Sequence, residues 1–167
     1  MKTSALLLAA LTLGATSHAY ADSATITVTG KVLPGTCTMA DVPVALADID
    51  ATNLSNGHDN NLTPATLDFT GCVGVARVDL VFDGAEDSAQ DGHWLNQSAG
   101  GASGVAVALL DGSTGTTFLK KGATRSLPVD GAASATLNLR AGYYRQAGTP
   151  LKAGEVSSQI TVTADYR

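Results

Sequence analysis

Apolar and polar residues alternate with a period of two along most of this chain, the signature of strands that bury one face. ATITVTGKV (24–32) places Ala24, Ile26, Val28, Gly30 and Val32 in one row and Thr25, Thr27, Thr29 and Lys31 in the other. The same alternation runs through ATLDFTGC (65–72) by way of Leu67 and Phe69, and through VARVDLVFDG (75–84) by way of Val78, Leu80 and Phe82. GVAVALLDG (104–112) and ASATLNLRAGYYRQ (133–146) follow. SQITVTADYR (158–167) closes the chain with Ile160, Val162, Ala164 and Tyr166 in one row. The tetrad ITVT therefore occurs twice, at 26–29 and at 160–163.

Turn-forming residues separate these segments. Asp83, Asp91, Asp111 and Asp130 each precede a glycine, the pairing that serves turns. GTCTMADVPVALADI (35–49) reads as a short segment with Cys37, Met39, Val42, Val44 and Leu46 as core contacts. ATNLSNGHDNNLTP (51–64) reads as loop, as does EDSAQDGHWLNQSAGGASG (86–104) with its one large aromatic, Trp94. Residues 113–126 read as mixed loop with a short extended piece, LPVDG (127–131) as a turn, and AGTPLKAGEVS (147–157) as a connection. No long stretch carries a 3.6-residue apolar period with caps. The expectation is an all-β sandwich or barrel.

The opening residues have a different character. Lys2 precedes an apolar run, ALLLAALTLGA (5–15), and SHA or AYA offers small residues for cleavage. This is the pattern of a secretory signal peptide over 1–21, cut after Ala21 or, alternatively, after Ala19. The run is too short to span a bilayer of about 30 Å. Ten Lys and Arg stand against fifteen Asp and Glu, a net charge of −5, and loss of Lys2 makes it −6. That balance argues against nucleic acid and anionic membranes as partners. In an exported chain with two cysteines, a Cys37–Cys72 disulfide is the default.

Catalytic chemistry finds no foothold. DGSTGTT (111–117) lacks the Gly-Lys-Ser/Thr ending of a phosphate loop. GHDNN (57–61) lacks calcium-loop spacing. No carboxylate pair stands out, and neither His58 nor His93 has a nucleophile tied to it by spacing. The expectation is no enzyme activity, no metal and no cofactor.

The two ends, the cysteines and the tail together resemble the structural pilins of chaperone–usher fimbriae. ITVTGKVLPGTC (26–37) resembles the family's N-terminal segment, with a glycine in the apolar row and a cysteine behind it. LDFTGC (67–72) holds the partner cysteine. AGYYRQAGTPLKAGEVSSQITVTADY (141–166) resembles the family's end, with its penultimate aromatic, Tyr166.

The resemblance implies an incomplete immunoglobulin-like β-sandwich, completed by a donor strand from another subunit. It divides the mature chain into a donor extension, 22–33, and a pilin domain, 34–167. Ile26, Val28 and Val32 are expected to fill pockets in a neighbour, with Ala24 at the edge and Gly30 where the groove is shallow. Ile160, Val162 and Ala164 are expected to wall the groove, and Tyr166 and Arg167 to meet a chaperone. The implied partners are neighbouring pilins in a homopolymer, a periplasmic chaperone and an outer-membrane usher. The implied location is a fimbrium on the bacterial surface.

Within this reading a major shaft subunit is favoured, and a minor adaptor is the alternative. A different class is a self-contained secreted β-sandwich that binds through an exposed platform, for which Trp94 is the candidate. In that case 24–32 would pair within its own sandwich.

Overall fold

The computed structural model describes residues 24–167; the expected leader, with Asp22 and Ser23, lies outside the described residues. The chain divides after Lys31. Residues 24–31 form no strand and are exposed, with Ile26 and Val28 each 88% accessible.

The second unit, Val32–Arg167, is a β-sandwich. Its strands are β1 (Thr38–Met39), β2 (Asp59–Thr70), β3 (Arg77–Gly84), β4 (Val105–Asp111), β5 (Thr124–Pro128), β6 (Ser134–Arg145) and β7 (Ile160–Tyr166). A four-stranded sheet in the order β1-β2-β6-β4 faces a three-stranded sheet in the order β5-β3-β7. Every pairing between these strands is antiparallel. The only helical turn among the described residues is a 3-10 turn at Ala51–Asn53.

Alternation builds the core as expected. Val78, Leu80 and Phe82 are almost wholly buried, and Leu67, Phe69, Leu109 and Leu139 meet them from the other sheet. β4 is buried on both faces: Val107 and Leu109 join the main core, while Ala106, Ala108 and Leu110 pack with Tyr144. The Cys37–Cys72 disulfide, with Cα atoms 4.1 Å apart, ties the approach to β1 to the end of β2, where Thr38 pairs with Thr70.

Four readings need correction. Trp94 is no exposed platform: it is fully buried, its indole Nε1 donates to the Leu119 carbonyl at 2.9 Å, and its backbone pairs with Val107. A large aromatic in a Gly- and Ser-rich stretch gave no period by which to place it in the core. Val42 and Val44 are 38% and 37% exposed rather than core contacts, because the segment after β1 leaves the sheet. The Asn-rich stretch taken for loop already belongs to β2 from Asp59. There the Asn60 side chain bonds the backbone of Ser55 and His58, and Asn61 takes a left-handed φ of 53° at a bulge. Such local bonding lets Asn stand where strand propensity is low. Finally, Thr124–Pro128 is a strand against β3: it takes in the short extended piece expected before residue 126 and runs on through Leu127 and Pro128, where a turn was expected.

Candidate functional site

β7 lies at the edge of its sheet, hydrogen-bonded to β3 on one side and, among the described residues, to no strand on the other. Its burial alternates, with Ile160, Val162, Ala164 and Tyr166 half-buried toward the core and Thr161, Thr163 and Asp165 exposed. A groove of about 860 Å³ opens beside it. One wall is the irregular segment from Met39 to Leu54, and the other is the stretch from Leu151 into the first residues of β7. The floor is core: Leu67, Phe82, Val107, Leu109, Leu139 and Ala141. An apolar floor beside an unpaired strand edge is a surface that proteins normally cover.

The walls are held by polar bonds that sequence reasoning did not single out. Asn96 Nδ2 donates to the carbonyls of Ala102 and Glu155, at 2.9 and 3.1 Å, and Asn96 Oδ1 accepts from Ser157 N at 2.9 Å. Gln97 Oε1 accepts from Gln159 N at 2.9 Å. These side chains fix the stretch leading into β7 against the 96–103 loop. Asn and Gln in a Gly/Ser loop carry no signal that separates them from ordinary turn residues. On the opposite wall, the Ala47 carbonyl accepts from Asn61 Nδ2 at 2.8 Å and from the Tyr143 hydroxyl at 3.3 Å. Burial pushes the Tyr143 phenol above its ordinary pKa, and the carboxylates of Asp48 and Glu155 add to that.

One tight approach keeps the upstream end of β7 in place. Gly84 pairs with Ile160, and a Cβ at Gly84 would come within 2.9 Å of the Gln159 carbonyl and 3.0 Å of the Trp94 ring. Only glycine lets these three elements converge.

Ile160 and Val162 line the groove, whereas Ala164, Tyr166 and Arg167 lie beyond its lining. Tyr166 pairs with Val78 and packs on the core. Arg167 belongs to a charged group at that end. Its Nε is 3.1 Å from Asp79, Arg77 Nε is 3.2 Å from the same carboxylate, and Ser126 Oγ donates to it at 2.7 Å. The Ser126 hydroxyl and then the two guanidiniums hold Asp79 below the usual carboxylate range against its partial desolvation. The expected donor residues Ala24, Ile26, Val28 and Gly30 lie in the exposed first unit, and Val32 at the start of the second is also exposed.

His93, unremarkable in sequence, is buried. Its ring lies 3.8 Å from that of Tyr144 and 4.6 Å from that of Phe118, and its Nε2 is 3.6 Å from Asp59 Oδ1. No nucleophile or further ligand accompanies the pair, and no cluster of three metal-ligating side chains occurs among the described residues.

Comparison with known proteins agrees with this architecture. The fimbrial protein family profile matches residues 26–167. Protein FimG of Escherichia coli K12 is 33% identical, over 96% of this chain and 95% of its own. Among solved structures, a subunit of a chaperone–usher pilus studied for rod uncoiling superposes with a TM-score of 0.65 at 13% identity, covering 87% of this chain and 96% of that one. The CupB6 tip adhesin of Pseudomonas aeruginosa gives 0.61 at 22% identity over 72% of this chain, which spans 34% of that longer protein. The sandwich is the immunoglobulin-like fold of pilins, and the chain belongs to the fimbrial protein family of chaperone–usher pili, whose members are assembled into fimbriae on the cell surface.

Proposed function

We propose that this subunit polymerises by lending a strand: residues 22–33 of one copy seat in the groove of the next and complete its sandwich. The observation that carries this is the unpaired edge of β7 above an open apolar groove. Adding a strand there supplies both partners that the edge lacks, backbone hydrogen bonds and alternate side chains for the pockets. The row Ala24, Ile26, Val28, Gly30, Val32 has the required period of two, and its members are exposed. In this reading Gly30 is the position of the row where the donor backbone lies closest to the floor. Ile160 and Val162 form the receiving wall.

The same exposed edge explains the need for a chaperone before assembly, because a bare groove invites aggregation. In this reading a periplasmic chaperone covers the groove, with Ala164, Tyr166 and Arg167 among its contacts, and hands the subunit to an outer-membrane usher. The role is structural, without catalysis. Deleting residues 22–33 is the direct test. The truncated subunit is expected to accept a donor strand from a full-length copy but to build no chains on its own. Truncated protein that polymerises like the parent refutes the reading.

A further inference from the structure

The rim of the groove carries charge that the apolar fit does not explain. Asp41, Asp48 and Glu155 line it, against Lys152 as the one cation among the described residues there. Asp48 and Glu155 come from opposite walls but from the same end of the groove: Asp48 follows Ala47, whose carbonyl accepts from the Tyr143 hydroxyl, and the Glu155 carbonyl accepts from Asn96, two residues past Trp94, whose backbone pairs with Val107 beside Tyr143. Both are exposed, and neither has an ion-pair partner among the described residues. Their backbones are held. The Glu155 carbonyl accepts from Ala102 N and Asn96 Nδ2, and the neighbouring Ala47 carbonyl accepts from Asn61 and Tyr143.

This spot lies at the upstream end of β7. Tyr143 pairs with Val107, Val107 with Trp94, Trp94 packs on Gly84, and Gly84 pairs with Ile160. A donor strand that continues the antiparallel pattern of this sandwich brings its C-terminal end here. That end carries Lys31, the one basic residue of the segment 22–33. Lys31 stands in the polar row, so with Val32 and Val28 facing the floor its ammonium points outward to the rim.

We propose that Lys31 of a second copy docks between Asp48 and Glu155, an electrostatic latch that selects this chain's own extension and fixes its register in the groove. This rests on the donor-strand reading above and adds to it the charge that chooses the partner. Complementary rim charges act chiefly on association rate and specificity, and salt screens them.

The test uses the full mature chain and follows the rate at which it forms denaturant-resistant linear oligomers, at low and at high salt. Lys31→Glu is expected to slow assembly about fivefold at low salt and much less at high salt. Asp48→Lys combined with Glu155→Lys is expected to do the same, and joining these with Lys31→Glu in one chain to restore most of the rate. All three positions are exposed, so folding is spared. Unchanged assembly of Lys31→Glu at low salt, or no recovery in the charge-swapped chain, overturns the latch. A Val32→Asp control separates the two ideas. If it abolishes assembly while Lys31→Glu does not slow it, donor exchange stands and the latch falls. If Val32→Asp assembles normally, the donor reading falls, and the latch with it.

Discussion

The two copies of ITVT share a sequence and differ in everything else. At 160–163 the tetrad is part of β7, paired with Asp83, Phe82 and Val81 through Thr161, Val162 and Thr163, its apolar members half-buried on the core. At 26–29 it forms no strand, and Ile26 and Val28 are 88% exposed. A period of two makes a segment competent to join a sheet; it does not supply the sheet. β7 finds β3 beside it. The first copy, in our account, finds its sheet in another molecule. Sequence sets what a strand asks of its neighbours, and topology decides whether those neighbours belong to the same chain.

The largest test of this contrast strikes the frame that holds the second copy's sandwich. Replacing Cys37 and Cys72 with serine frees a loop with a sequence separation of 35. It is expected to lower stability in urea titration by about 3–4 kcal/mol. An unchanged midpoint would show that the disulfide is incidental to the fold. Next come paired substitutions at equivalent places in the two copies. Val162→Asp puts a charge against the core and is expected to cost about 2–3 kcal/mol. Val28→Asp is expected to shift the midpoint by no more than about 0.5 kcal/mol while abolishing polymer. Equal effects on stability would erase the distinction drawn between the copies.

A finer cut is Gly84→Ala, which crowds the Gln159 carbonyl and Trp94 where β7 begins. A loss of about 1–3 kcal/mol is expected from thermal or urea unfolding, and a neutral result would mean the upstream end of β7 is loosely set. The smallest effect is acid dependence at the other end of β7. Asp79 is held below its ordinary pKa by Ser126, Arg77 and Arg167. A carboxylate depressed in the folded state contributes stability above its unfolded pKa and loses it as pH falls through the folded value. Asp79→Asn is therefore expected to flatten part of the stability loss in that acid window, read from urea midpoints against pH. Superimposable pH curves for parent and variant would remove Asp79 from the account.

Much of the fold was legible because burial and alternation coincide. Val78, Leu80 and Phe82 announce β3, and Ile160, Val162, Ala164 and Tyr166 announce β7, since each strand buries one face. What escaped depends on contacts remote in sequence. Trp94 is core only because its backbone joins β4 and its indole reaches Leu119. Asp59 and Asn60 begin a strand only because the Asn60 amide bonds the preceding turn. Thr124–Pro128 carries too few apolar residues to advertise a strand and is recruited by β3. The groove was anticipated through family resemblance, not through periodicity. Its walls rest on Asn96, Gln97 and Asn61, whose roles exist only once two distant loops meet. The Lys31, Asp48 and Glu155 charges were visible as letters, but only the fold brings Asp48 and Glu155 to facing walls at one end of the groove.

The central claim is that the first ITVT becomes a strand in another subunit. Amide hydrogen exchange on the assembled fimbria, compared with a monomeric preparation, reads both copies at once. The account predicts that amides of 26–29 exchange rapidly in the monomer and become as protected as those of 160–163 on assembly. Amides of 26–29 that stay as fast in the fimbria as in the monomer, while 160–163 remain protected, would contradict it.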